Sequence, residues 1–314
     1  MKKIFVFPGL CIFLIFGSIF HSLTLEVARA APARGEKTLV LYDAATGTVP
    51  GAPLMNFTDF PPGVASPSYS NIATVLDTTA SGRDTYAGWI SNGTNTPGFP
   101  ILDRAASFQV DFTLRIENES HRNNDRSGFS LIILSEDAKG IELAFWENEI
   151  WVQNDSSTGG LFKHGEGAIF PTTTGLINYQ LVVTGDTYTL AADTQPILNG
   201  PVRDYSDFED FPDPYQTPNF LFLGDDTTSA QARVQLEFVA ITGAEPLMPT
   251  STNTSTNTKS PSPTASLTPA PRVTPIPSPT PTGKAPNVCL SNGLFLTVMF
   301  TSIVMLKYIR KKQS

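Results

Sequence analysis

From Phe108 to Glu117 the chain alternates without a break: Phe108, Val110, Phe112, Leu114 and Ile116 are separated by Gln109, Asp111, Thr113, Arg115 and Glu117. Successive side chains of an extended backbone point to opposite faces. This run therefore specifies an antiparallel strand with one face on a core and the other towards water. Shorter apolar runs follow at Phe129–Leu134, at Ile141, Leu143 and Phe145, and at Ile150 and Val152. Tyr179, Leu181 and Val183 lead through Gly185-Asp186 into Tyr188 and Leu190, the turn chemistry of a tight hairpin. Phe220–Leu223 and the run Val234, Leu236, Phe238, Ala240 complete the series. Between about Lys37 and Ala244 no window shows a convincing helical period. Strands at such spacing over that length predict a large all-β sandwich.

A core of this kind must hold without covalent help. The two cysteines, Cys11 and Cys289, lie in apolar terminal segments, so residues 31–245 contain no candidate for a disulfide, a zinc cluster or a thiol nucleophile. That stretch carries 28 Asp/Glu against 11 Lys/Arg, a charge of −17. A domain so acidic repels nucleic acid and anionic membrane surfaces, which excludes both as partners for its surface.

The ends predict where the chain works. Met1-Lys-Lys3, an apolar run from Ile4 to about Leu25, and Ala28-Arg-Ala30 have the three parts of a secretory signal, placing the mature start near Ala31. Residues 246–286 hold eleven prolines and sixteen Ser/Thr with no aromatic residue, a composition that favours an extended polyproline II stalk. Fully extended it would reach about 120 Å. Then come the apolar residues Cys289–Leu306, about 27 Å of helix at 1.5 Å per residue. The basic tail from Lys307 to Ser314 supplies a positive-inside signal. A sortase-type Leu-Pro-x-Thr-Gly motif is replaced by Pro279-Thr-Pro-Thr-Gly283, which favours a retained anchor. The expected plan is a signal peptide (1–30), an extracellular sandwich (31–245), a stalk (246–286), a single transmembrane helix (287–306) and a cytoplasmic tail (307–314). Cysteine usage and layout fit a bacterial cell-surface protein.

Three strings carry a family likeness. Arg126-Ser-Gly-Phe-Ser-Leu-Ile-Ile-Leu134, with Gly140-Ile-Glu-Leu-Ala-Phe-Trp146 and Ile150-Trp-Val-Gln153, resembles the central hairpins of concanavalin A-like lectin/glucanase domains. Asn178-Tyr-Gln-Leu-Val-Val-Thr-Gly-Asp-Thr-Tyr-Thr-Leu190, with Ile197-Leu-Asn-Gly200, is similar to the strand–turn–strand before their ligand-side loops. Phe220-Leu-Phe-Leu-Gly-Asp-Asp226 resembles a late strand of laminin-G-like members. The likeness covers residues 105–243 and implies a jelly roll of two antiparallel sheets. Its members include sugar binders, glycosidases and adhesion modules, and fold alone does not choose among them.

The residues rank the chemistries. A glycosidase needs two carboxyl groups across a cleft, and the Glu-x-Asp-x-x-Glu strand motif of several glucanases is absent. Glu142 and Glu147 have opposite parity, and Glu147 and Glu149 flank a turn at Asn148. A pair joining Glu142 to an acid of the Asp204–Asp213 loop remains open. The two histidines of the domain, His121 and His164, have no metal-binding or Ser-His spacing, and His121 falls in a polar run, Asn118–Asp125, expected to be a solvated loop. Sugar recognition needs aromatic faces together with amides and carboxylates. Trp146, Trp151, Glu142, Gln153 and Asn154 supply these types around one hairpin, and parity puts Trp146 and Glu142 opposite Ile141, Leu143 and Phe145. Tryptophans buried between layers are the competing reading. Hard oxygen ligands for calcium are offered by Asp204, Asp207, Asp210 and Asp213 in one loop and by Asp225 and Asp226, and related lectin-type domains often carry that ion. The leading expectation is a membrane-anchored, glycan-recognising surface module. A tethered glycosidase and a structural adhesion module without a pocket are the alternatives.

Overall fold

The computed structural model describes residues 35–246 apart from 82–85 and 211–212. The predicted signal peptide, the stalk beyond residue 246, the transmembrane helix and the tail lie outside the described residues. Among the described residues no helix is long and apolar enough to cross a membrane.

The described chain is all-β. Its strands are β1 (Glu36–Asp43), β2 (Asn56–Phe60), β3 (Ser68–Tyr69), β4 (Thr74–Asp77) and β5 (Tyr86–Asn92). Next come β6 (Phe108–His121), β7 (Ser130–Leu134), β8 (Gly140–Phe145), β9 (Glu149–Gln153) and β10 (His164–Ile169). The last are β11 (Ile177–Thr184), β12 (Thr187–Ala192), β13 (Gln195–Pro201), β14 (Phe220–Asp225) and β15 (Ala230–Ala244). They form two antiparallel sheets. The first has the order β13-β12-β11-β6-β15-β4-β3, with β1 also on β15, and the second the order β10-β9-β8-β7-β14-β5-β2. Both sheets feed one core, which makes the domain a β-sandwich.

β6 shows why. Its alternating set Phe108, Val110, Phe112, Leu114 and Ile116 is at most 3 % exposed, and it faces Ile141, Leu143 and Phe145 of the second sheet, which are fully buried. Phe112 meets Phe145 edge-on at 6.1 Å across the layer and stacks on Tyr179 at 5.1 Å within its own sheet. β15 is long enough to take two partners on one side, β4 against Arg233–Leu236 and β1 against Phe238–Ala244. The predicted hairpin is present: Thr184 pairs with Thr187 around Gly185, whose φ of 57° suits the tight turn.

β6 runs four residues past Glu117, so His121 ends a strand instead of lying in a solvated loop. Pairing with β15 (Ala230 opposite His121) extends it, and β15 begins earlier than its apolar run suggested. Ile197-Leu-Asn-Gly200 lies within the edge strand β13.

Candidate functional site on the outer face of the second sheet

The face of the second sheet that points away from the core is itself covered. Parity on β8 sends Ile141, Leu143 and Phe145 inwards and Glu142 outwards, as the sequence implies. Outward-facing Ile132, Leu134, Phe220 and Phe222 form a second apolar cluster with Tyr205 and Tyr215, flanked by Leu161, Phe162 and Phe208. The covering rings come from two connections, β9–β10 and β13–β14. Phe162 stacks on Tyr205 at 5.8 Å, Tyr205 lies 5.0 Å from Tyr215, and Phe208 meets Tyr215 at 5.5 Å. Phe162 adopts a φ of 56°, left-handed backbone that costs a bulky residue about 1–3 kcal/mol, and its ring contacts offset that strain. Phe162 and Phe208 keep part of their rings at the surface.

Beneath the rings lie polar groups. Glu142 is 2 % exposed, and its Oε2 accepts a 2.6 Å hydrogen bond from the Tyr215 hydroxyl. Its carboxyl also hydrogen-bonds that of Asp226, which follows β14 and is half-buried. Burial pushes the Glu142 carboxyl well above the usual carboxylate range, and the charge of Asp226 adds to this. Burial raises Asp226 as well, against the pull of the Arg126 guanidinium. The Tyr205 hydroxyl donates to the Gln153 carbonyl (2.8 Å) and accepts from the Glu142 amide (3.1 Å), tying the covering connection to the sheet edge. Gln153 is the cross-strand neighbour of Glu142 by the register Leu143–Val152. Its Nε2 donates to Asp125 O, while its Oε1 is buried and has no partner among the described residues.

The remaining residues read from the sequence separate. Trp146, half-buried at the end of β8, stacks on His121 at 4.2 Å and meets Trp151 edge-on at 5.4 Å. Trp151 is fully buried and stacks on His164 at 4.1 Å, so neither of its faces is open, and its Nε1 lacks a partner among the described residues. Asn154 turns away from Glu142, and its Oδ1 accepts from the Arg203 guanidinium at 3.2 Å. The fold thus brings Glu142 and Gln153 together, and Trp146 and Trp151 together, but as packed pairs.

The six calcium candidates do not converge. Asp204 accepts from Ser206 N and faces Lys139 at 3.4 Å, and Asp213 accepts from Tyr215 N. Asp207 and Asp210 are exposed in the same connection. Asp225 is fully buried and accepts from the Thr78 hydroxyl at 2.7 Å, while Asp226 is engaged with Glu142. Among the described residues no group of three His, Cys, Asp or Glu is placed to hold a metal ion.

Sequence reading missed Tyr205, Phe208, Tyr215 and Phe162. A signal existed for the first three: aromatic residues recur among the acids from Asp204 to Tyr215, and rings do not favour a solvated loop. For Phe162 there was none.

No protein-family model matches the chain, and no curated protein does. Among solved structures, it is similar to a carbohydrate esterase of a Shiga toxin-encoding bacteriophage, at 13 % identity over 67 % of this chain and 100 % of that one, with a TM-score of 0.41. It is also similar to the lumenal domain of VIP36 in its calcium- and mannose-bound form, at 11 % identity over 68 % and 91 %, TM-score 0.38. A galectin-like protein of unknown function from Bacillus subtilis gives 9 % identity over 61 % and 90 %, TM-score 0.38. At such scores the architecture stands on this chain's own strand order.

Proposed function

We propose that the protein is a membrane-anchored surface module whose concanavalin A-like sandwich recognises glycans on the outer face of its second sheet. The carrying observation is the pairing of partly exposed rings, Phe162 and Phe208, with exposed polar side chains of the same connections, Lys163, Asp207 and Gln216. Rings that stack on a pyranose and acceptors that bond its hydroxyls are the two elements such recognition needs. Trp146, half-buried beside exposed Glu147, extends this set along the sheet edge. The strong negative charge of the domain favours neutral or cationic polysaccharide over anionic polymer. The stalk and anchor expected from the sequence would carry the module away from the membrane, where such polymers lie.

Binding is favoured over hydrolysis for a geometric reason. The carboxyl groups of Glu142 and Asp226 are in hydrogen-bond contact, whereas glycosidase pairs stand about 5–9.5 Å apart to admit a sugar and a water. Glycan-array binding by the wild type, Phe208→Ala and Trp146→Ala tests the reading. Loss of binding by Phe208→Ala with the melting temperature retained supports it. A wild type that binds no glycan on the array would leave the module as a structural one, a reading favoured by how fully its own rings fill the face.

A further inference from the structure

Glu142 and Asp226 meet beneath the rings, and Tyr215 reaches down to them from the β13–β14 connection. We propose that these three residues are a proton-held latch: while the carboxyl pair retains one shared proton, it pins Tyr215, and with it Tyr205, over the second sheet, and loss of that proton releases these two residues.

The argument begins with charge. Two carboxyl groups in contact hold together through one proton, since an ionised pair repels and the buried Glu142 has lost its water. The groups facing the pair are few. From β8 comes Glu142 itself, from the end of β14 and the turn after it come Asp225 and Asp226, and from β5 comes the Tyr86 hydroxyl. From the β13–β14 connection come Tyr205 and Tyr215, and from β7 the Ser130 hydroxyl. The cation on this side is Arg126, whose Nη1 is engaged with the carbonyls of Asp125 and Phe162. Arg203 and Asp155 face Tyr205 from its far side, and Glu119 faces Asp225. One guanidinium cannot neutralise two carboxylates beside a third acid, Asp225.

Which part yields follows from the hydrogen bonds. β7, β8 and β14 are each paired on both sides by strand ladders, so moving them breaks many bonds together. Among the described residues the β13–β14 connection is tied to the rest of the domain by backbone hydrogen bonds only near its ends, Arg203 with Gly140 and Asn219 to Ser135, with Asp204 N on Asp155. Between them Tyr205 and Tyr215 join it to the sheet through their hydroxyls and rings. The element with fewest ladder bonds opens first. Glu142 and Asp226 bind their proton more tightly folded than unfolded. The closed state is therefore favoured below the ordinary carboxylate range and loses that advantage as pH rises through the folded titration of the pair. This holds whether or not the face binds a glycan.

Hydrogen exchange of the full chain, followed by mass spectrometry from about pH 5 to about pH 9 and corrected for intrinsic exchange, tests the latch. Peptides containing Tyr205 and Tyr215 are expected to lose protection by about tenfold or more relative to peptides from β6 and β11, the change that one proton released across one pH unit produces. Glu142→Gln still accepts from Tyr215 and donates to Asp226 but cannot ionise, so in this variant the relative protection should be independent of pH. Protection of the connection that tracks β6 across the range in the wild type overturns the proposal, as does a Glu142→Gln variant that keeps the wild-type profile. If Glu142→Gln does not fold, Asp226→Asn makes the same test, and the wild-type comparison decides without either.

Discussion

Asp225 shows what one buried carboxyl imposes. It has no exposed surface, and although Thr78 and the Thr227 amide donate to it, burial still pushes its pKa well above the ordinary value. A carboxyl raised in the folded state stabilises the fold fully below its unfolded value of about 3.9, and that contribution is lost as pH rises through the folded value. Urea titrations should thus show wild type losing stability relative to Asp225→Asn as pH rises from about 4 to about 8. A difference that stays constant would sink this assignment. Removing the Tyr215 hydroxyl leaves Glu142 Oε2 without its donor. Tyr215→Phe should cost about 1–3 kcal/mol in the same measurement, the range for a buried polar group left unsatisfied. Neither the acid pair nor its tyrosine was legible as a unit in the sequence, because Glu142, Tyr215 and Asp226 are far apart in the chain and meet only through the sheet register and the path of a connection. Parity alone did place Glu142 on the outer face. It could not reveal that the face has a cover.

Among the elements, legibility followed pattern. β6, β7, β8, β9, β11, β12, β14 and β15 were readable because each has alternating or continuous apolar residues. β5 was not: Tyr86-Ala-Gly-Trp-Ile-Ser-Asn92 is interrupted by Gly88, yet that glycine is what lets the strand lie against Phe222. A Cβ added at Gly88 would sit 2.6 Å from the Phe222 ring, so Gly88→Val should destabilise the domain and weaken the β5–β14 pairing, as a thermal melt would register. β10, His164-Gly-Glu-Gly-Ala-Ile169, is an edge strand with too little apolar content to signal itself. Its Ile169 is 83 % exposed, and replacing it with Lys should change stability by no more than about 0.5 kcal/mol. At the centre of β6, by contrast, Phe112→Ala removes a ring packed against Phe145 and Tyr179 and should cost about 3–5 kcal/mol in a urea titration.

For the molecule as a whole, the chain's ends and its centre follow different physics. A Pro/Ser/Thr segment cannot bury a core, so the sandwich should be independent of everything after it. A chain ending at Glu245 is expected to melt at the temperature of the full-length protein, while the full chain should fractionate with membranes. A soluble full-length chain would refute the proposed anchor. Within the sandwich, the alternation from Phe108 to Glu117 and its counterparts determined by themselves that the domain is all-β and most of the side chains that enter the core, because side-chain direction in a strand is set by position parity. On β15 an irregularity after Leu236 reverses that parity, so Val239 and Ile241 enter the core in place of Phe238 and Ala240. What covers the other face was a matter for tertiary structure alone. Whether Glu142 meets water, a sugar or a tyrosine depends on where the β9–β10 and β13–β14 connections fold back, and no local periodicity encodes that path. The same holds for Trp151: its parity was readable, but its burial comes from His164 and Trp146 closing over it from neighbouring strands.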